Sequence, residues 1–177
     1  KKQSKIKNKN ANYLDKKINL LVNKLKKSKR PIMIVGNGIR FSKSKSIFMK
    51  VIKKLKIPVL TVWNSHDLIE NENSYYAGRP GLDGERAGNF NIQNSDLLII
   101  IGARMHVRQI GYNFKSFARE AFKVMIDIDK AEVDKFNLKI NLKIIADIND
   151  VLKKIIRVKK EKFYNIEHKN YLSWCKN

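Results

Sequence analysis

The chain has 177 residues, 43% of them hydrophobic, so it can bury one core, is too apolar for a disordered segment and is short for two domains. Its single cysteine, Cys175, excludes a disulfide framework and a cysteine metal site, and the aliphatic run Leu97–Ile101 falls far below the ~20 residues of a membrane span. The formal net charge of +22 would suggest a nucleic-acid partner, but 30 lysines, 19 asparagines and 23 isoleucines are the bias of an AT-rich genome, and a solvated lysine coat accounts for the charge. Residues 1–60 hold 19 Lys and Arg against Asp15 alone, whereas residues 61–177 hold 19 against 15 acids. A cytoplasmic chain with no nucleic-acid and no membrane partner is expected. The Lys/Asn-rich start lacks the apolar segment of a signal peptide.

Residues 1–10 are a charge run without apolar period and read as a linker or tail. From Leu14, the residues Ile18, Leu21, Val22 and Leu25 follow helical spacing. Pro31 opens Ile32–Val35, an all-apolar run typical of a strand buried on both faces. Ile47, Phe48, Val51, Ile52 and Leu55 predict the next helix, and residues 57–62 the next strand. Residues 64–94 are a loop region with a short helix after Gly84. Strands follow at residues 96–101, 123–128 and 142–145. Asp147 can cap a last helix whose core face is Ile148, Val151, Leu152, Ile155 and Ile156. Tyr164, His168, Tyr171 and Trp174 then stand in a polar setting, as if made to pack on something outside the chain. With a start that is not Met, this suggests the middle piece of a longer polypeptide.

Alternating helices and apolar strands predict an α/β fold with a parallel sheet covered on both faces. In such sheets ligands bind beyond the carboxyl ends of the strands. Three candidate segments lie there: Gly36-Asn37-Gly38, Gly102-Ala103-Arg104 and Asp127-Ile128-Asp129. The dinucleotide fingerprint G-x-G-x-x-G fails at its third glycine, which is Phe41, so an ordinary NAD(P) dehydrogenase is not expected. A glycine turn that only reverses the chain is the plain alternative. The guanidinium groups of Arg104 and Arg108 suit a phosphate or carboxylate, or else pair with Asp127 or Asp129. The contiguous Ser65-His66-Asp67 cannot align as a catalytic triad and reads as a polar turn. His66, His106 and His168 lack metal-ligand spacing and read as surface or helix-edge residues. The glycine-dense stretch from Gly78 to Arg86 allows a close backbone approach to a ligand or partner, or is a surface loop.

The order of these pieces resembles the central domain of thiamine-diphosphate-dependent enzymes, and within them the acetolactate synthase large-subunit group. The matching residues are Arg30-Pro31 leading into Gly36-Asn37-Gly38, then Ile57-Pro58-Val59, Gly81-Leu82-Asp83-Gly84, Gln93 through Ile99, Gly102-Ala103-Arg104 with Arg108, and Asp127 through Glu132. They span residues 12–158. The resemblance implies a Rossmann-like (DHS-like) six-stranded parallel sheet with helices on both faces, set between two thiamine-binding domains. Residues 1–11 would be a linker or tail, and residues 159–177 the start of a linker or helix toward a C-terminal catalytic domain.

In relatives this domain holds FAD, or an ADP-containing molecule, across its strand ends. Carried over, Gly36, Asn37 and Gly38 would line the pyrophosphate or ribitol, and Gly102, Ala103 and Arg104 would sit against the nucleotide with Arg108 nearby. Asp127-Ile128 and Asp147-Ile148 would flank the adenosine end, and Gly81, Leu82 and Asp83 would lie near a flavin. The chain departs from the group at three places: Asn37 replaces a glycine, Asp83 a histidine, and Met105-His106-Val107 a Phe-Asp-Asp. Thiamine diphosphate and Mg²⁺ need a G-D-G…N signature and a glutamate from elsewhere; no G-D-G occurs here. The resemblance therefore implies a carboligase or decarboxylase acting on a 2-oxo acid, a transferase or lyase, as a homodimer or homotetramer. This chain alone is expected to be inactive and to supply no catalytic and no metal-binding residue. The alternative is a free-standing nucleotide-binding module of Rossmann-like fold.

Overall fold

Five apolar runs become five parallel strands: β1 (Pro31–Val35), β2 (Val59–Thr61), β3 (Leu97–Ile101), β4 (Phe122–Asp127) and β5 (Leu142–Ile145). The computed structural model describes residues 2–135 and 138–176, with side chains from residue 12 onward. The strands lie in the order β2-β1-β3-β4-β5. Register sets Met33 opposite Val59, Pro31 opposite Leu97, Leu97 opposite Phe122 and Val124 opposite Leu142. Every residue of β1, β2 and β3 is buried, because helices cover both faces.

The helices are α1 (Lys2–Lys27), α2 (Gly38–Phe41), α3 (Lys45–Leu55), α4 (Arg86–Gln93), α5 (Val107–Ile110), α6 (Lys130–Val133), α7 (Ile148–Arg157) and α8 (Glu167–Lys176). The two-residue period of the strands divides the core. Met33, Val35, Ile99 and Ile101 meet Ile18, Val51 and Val151 of α1, α3 and α7. Ile32, Ile34, Leu98 and Ile100 join Ile92, Ile110 and Tyr171 of α4, α5 and α8 on the other side. Full burial of one such aliphatic side chain stabilises the fold by about 1.5–3 kcal/mol. Among the described residues no helix is long and apolar enough to cross a membrane.

Among the described residues the sheet has five strands where the resemblance implied six. The sixth is reduced to one parallel bridge, Tyr76 with Val59, on the outer edge of β2. There the Val59 amide donates to the Tyr75 carbonyl at 2.8 Å, Ala77 to Val59 at 2.8 Å and Thr61 to Gly78 at 3.3 Å. The ladder stops because Gly78 turns to a φ of +100° and Pro80 has no amide to donate. With this segment counted, the order becomes the doubly wound 3-2-1-4-5-6.

Both terminal segments are helical. The backbone is helical from Lys2, so the amino-terminal charge run forms the first turns of α1, which no glycine or proline interrupts. At the other end, α8 packs on this chain's own sheet layer. The Tyr171 hydroxyl donates to the Asn91 carbonyl, and Asn91 Nδ2 donates to the carbonyls of Ala77 (3.0 Å) and Cys175 (3.2 Å). His168 is buried, not on the surface, with Nε2 at 3.1 Å from the carbonyls of both Leu25 and Ser28. Burial holds its imidazole below the usual range and pushes the Cys175 thiol up to about 12. Trp174 and Tyr164 remain about half exposed.

Asp96, at the head of β3, ties the layers together. Its carboxylate accepts from Ser28 Oγ (2.5 Å) and from the amides of Lys29 (2.8 Å) and Arg30 (3.0 Å), which fixes the turn from α1 into β1.

Candidate functional site

Chain direction across the sheet reverses between β1 and β3, so their carboxyl ends flank the topological switch point. The turns that leave them touch. A Cβ on Gly36 would lie 2.4 Å from the Gly102 oxygen, and one on Gly38 would lie 2.5 Å from Gly102 Cα. Gly102 itself has a φ of +54°. The glycines thus serve contact between two backbones.

Their amides are engaged as well. Gly36 donates to Ile101 at 3.0 Å, Gly38 to Gly102 at 3.0 Å and Gly102 to Ile126 at 3.0 Å. These three cannot cradle a phosphate as the glycine pattern suggested. Among the described residues, no partner takes the amides of Asn37, Ala103 or Arg104, and those are the donors the switch point leaves open.

A cleft of about 850 Å³ opens over this junction. Its walls contain Gly36, Asn37 and Gly38 after β1, Gly102, Ala103 and Arg104 after β3, Asp127 and Ile128 after β4, and Asp147 and Ile148 after β5. Residues more than a hundred positions apart therefore share one concavity. Three wall carboxylates are oriented by backbone amides: Asp127 accepts from Asp129 (3.0 Å), Asp129 from Ala131 (2.9 Å) and Asp147 from Asn149 (2.7 Å). Each uses one oxygen, so the other can accept a ligand hydroxyl. Asp129 and Asp147 are thereby the caps of α6 and α7.

Arg104 is the basic side chain in this wall, 79% exposed, with Nε at 3.8 Å from Glu132 Oε2. The partner is thus Glu132, not Asp127 or Asp129 as the strand-end arrangement suggested. Glu132 is 7% exposed, and its other oxygen accepts from Lys135 Nζ at 2.5 Å. A loosely held, exposed guanidinium beside three open amides suits an anion, and oriented carboxylates nearby suit hydroxyls. The donor set fits a ribonucleotide diphosphate.

The remaining predicted residues lie outside the cleft. Gly81, Leu82 and Asp83 sit in a loop packed on α5, where the Leu82 amide donates to the Arg108 carbonyl at 2.8 Å. Asp83 and Arg108 line a separate, narrow depression with His66, Arg79 and His106. His106 lines both concavities. Burial, and then the Arg79 guanidinium, hold the His66 imidazole below its usual range.

The cleft also takes wall residues that sequence reasoning missed: Phe41, Ser42, Val62, Asn64 and Glu132. Apart from Val62, which ends the predicted strand at residues 57–62, the apolar period that marked the strands carries no signal for them. Arg40 was missed too. Its guanidinium donates to Asn37 Oδ1 and pairs with Asp67, so it joins the turn after β1 to the 3-10 turn at Trp63–Leu68. Ser65 Oγ anchors that turn by donating to Val35 (3.0 Å) and Val62 (2.9 Å), which makes Ser65-His66-Asp67 a structural turn. Among the described residues no group of three His, Cys, Asp or Glu side chains is placed to hold a metal ion.

Residues 18–155 match the family model described as thiamine pyrophosphate enzyme, central domain. The chain is 32% identical over 155 residues to the probable acetolactate synthase large subunit of Methanococcus aeolicus, covering 85% of this chain and 26% of that protein. It is 34% identical over 150 residues to the acetolactate synthase large subunit of Cyanidium caldarium, 85% of this chain and 25% of that one. Against the isozyme 2 large subunit of Escherichia coli K12 it is 30% identical over 128 residues, 72% and 23% respectively. The chain thus spans about a quarter of the length of the curated relatives it matches.

Proposed function

We propose, from the premise that the chain belongs to the family of thiamine pyrophosphate enzyme central domains, that it is the central domain of an acetolactate-synthase-like carboligase or decarboxylase acting on a 2-oxo acid. Its own role is to hold a nucleotide of the FAD or ADP type at the switch point and to carry the interface with the flanking thiamine-binding domains and with further copies of the subunit. Thiamine diphosphate, with Mg²⁺, supplies the decarboxylation chemistry when bound, on domains other than this one. No residue of this chain takes part in covalent steps.

The observation that carries the nucleotide role is the cleft itself. Ten residues expected at a cofactor site, from strand ends or from the family resemblance, line one concavity. In it the Asn37, Ala103 and Arg104 amides and the Arg104 guanidinium offer donors to a diphosphate, while Asp127 and Asp147 offer acceptors to ribose hydroxyls. ADP at a hundredfold excess over its dissociation constant stabilises a binding protein by about 2.7 kcal/mol. Chemical denaturation of the chain with and without ADP reads that shift, and an unchanged midpoint at millimolar ADP would remove the nucleotide role. The purified chain, given thiamine diphosphate, Mg²⁺ and a 2-oxo acid, should release no CO₂; turnover would place catalysis here after all.

A further inference from the structure

A second concavity lies at the opposite end of the sheet, where the chain enters β1 and β3. Its volume of about 480 Å³ is that of a small-molecule pocket, and Lys29, Arg30, Glu167, Tyr171 and Trp174 stand in its walls. It shares no residue with the strand-end cleft.

The walls are fixed to one another. The turn that carries Lys29 and Arg30 is held by the Asp96 carboxylate through both of their amides. Asn165 Nδ2 donates to the Ser28 carbonyl at 2.9 Å, and His168 Nε2 lies 3.1 Å from the same oxygen, so α8 begins on that turn. Further along, Asn91 of α4 bonds to Tyr171 and to Cys175 of α8. A pocket with its walls already in place loses little conformational freedom when a ligand enters.

Tyr171 and Trp174 stack with ring centres 5.7 Å apart and planes at 12°. Tyr171 is buried beneath, whereas Trp174 is 49% exposed, so a third ring can join the stack on the indole. The charged groups around it keep open capacity. Arg30 Nε donates to the Asn94 carbonyl at 2.6 Å, which orients the guanidinium and leaves its two terminal nitrogens. Glu167 Oε2 accepts from Asn170 Nδ2 at 3.2 Å, which leaves Oε1. Among the described residues no side chain pairs with Lys29 Nζ. Two cations and one carboxylate complement a ligand with an anionic and a cationic end, and the Glu167 carboxylate opposes a polyphosphate.

We infer that this pocket binds an α-amino acid with an aromatic side chain. The ring stacks on Trp174, the carboxylate meets Lys29 and Arg30, and the ammonium meets Glu167.

Isothermal titration of the chain with L-tryptophan tests it, beside three analogues that each lack one recognised group. Tryptamine has no carboxylate, indole-3-propionate no ammonium and L-leucine no ring. L-Tryptophan should bind saturably at one site. Tryptamine and indole-3-propionate should be weaker by about tenfold or more, and L-leucine by at least about threefold. Glu167→Gln should weaken L-tryptophan about tenfold without weakening indole-3-propionate, and Trp174→Ala should weaken it at least about threefold. No saturable binding of L-tryptophan, an analogue that binds equally well, or unchanged affinity in either variant overturns the site. The analogue series needs no variant to fold, and because the two concavities share no residue, every one of these outcomes leaves the nucleotide reading standing.

Discussion

Substituting Gly38 and Gly102 by alanine should measure how tightly the two strand ends are pressed together. Gly38 opens α2, where alanine ordinarily gains about 0.4–1 kcal/mol over glycine by restricting the unfolded chain. Here its Cβ would lie 2.5 Å from Gly102 Cα, a backbone atom that cannot rotate aside. Overpacking of this kind costs about 1–3 kcal/mol, so Gly38→Ala should be a net loss of about 1–2 kcal/mol. Gly102→Ala meets Gly38 Cα at 2.7 Å and also the Ile148 methyl at 2.6 Å, at a φ of +54°. The left-handed conformation adds about 1–2 kcal/mol, for a total near 2–5 kcal/mol. Both clashes are relieved by one movement, separation of the turns, so the double variant should lose less than the sum by about 0.5–3 kcal/mol. Urea denaturation of the chain and its three variants reads all of this from the midpoints at constant slope. Stabilisation by Gly38→Ala, or strict additivity of the pair, would refute the backbone-contact account and return these glycines to a ligand role.

Three other outcomes are expected. Arg104→Ala should change stability by less than about 1 kcal/mol, since its contact with Glu132 is long, its guanidinium is exposed and Glu132 keeps Lys135 as a partner, yet weaken ADP at least about tenfold, as a charged hydrogen bond is worth about 1.5–3 kcal/mol; equal affinities in titration would count against its phosphate contact. Asp96→Ala strips one acceptor from three donors in the α1–β1 turn and should cost about 2–3 kcal/mol in the same denaturation assay, whereas an exposed carboxylate would be neutral. His168 has a folded pKa depressed below its unfolded value by burial, so the folded state binds fewer protons and its stability is full above about pH 6.5, falling as pH drops below that value. The chain's urea midpoint should decline from pH 7.5 to pH 5, and His168→Gln should flatten that decline.

The strands Ile32–Val35, residues 96–101 and 142–145, and the cap at Asp147, were legible because their cause is local. A run of apolar residues without polar alternation has no stable place except a sheet covered on both faces. A carboxylate at the head of an apolar period finds the amide two residues on, as Asp147 finds Asn149. Strand ends could be named as the site by the general rule for parallel sheets, which asks nothing about which strand neighbours which.

Other features depend on pairs that sequence distance hides. The sixth strand shrinks to the single bridge at Tyr76 because Gly78 departs from extended geometry, and no propensity at residues 75–77 announces that. His168 is buried because the turn ending α1 offers it two carbonyls, 140 and 143 residues away in the chain. Gly81 to Asp83 leave the cleft because Gln109 and the Arg108 carbonyl hold their loop elsewhere.

By itself, then, the sequence determined the class of fold, the strands that make it and the end of the sheet at which a ligand would lie, since periodicity and capping act within a few residues. Only the tertiary structure decided that Gly36, Gly38 and Gly102 serve each other before any phosphate, that Glu132 is the partner of Arg104, and that Gly81 to Asp83 lie outside the cleft. Those outcomes are set by which backbones the crossover connections bring within contact distance.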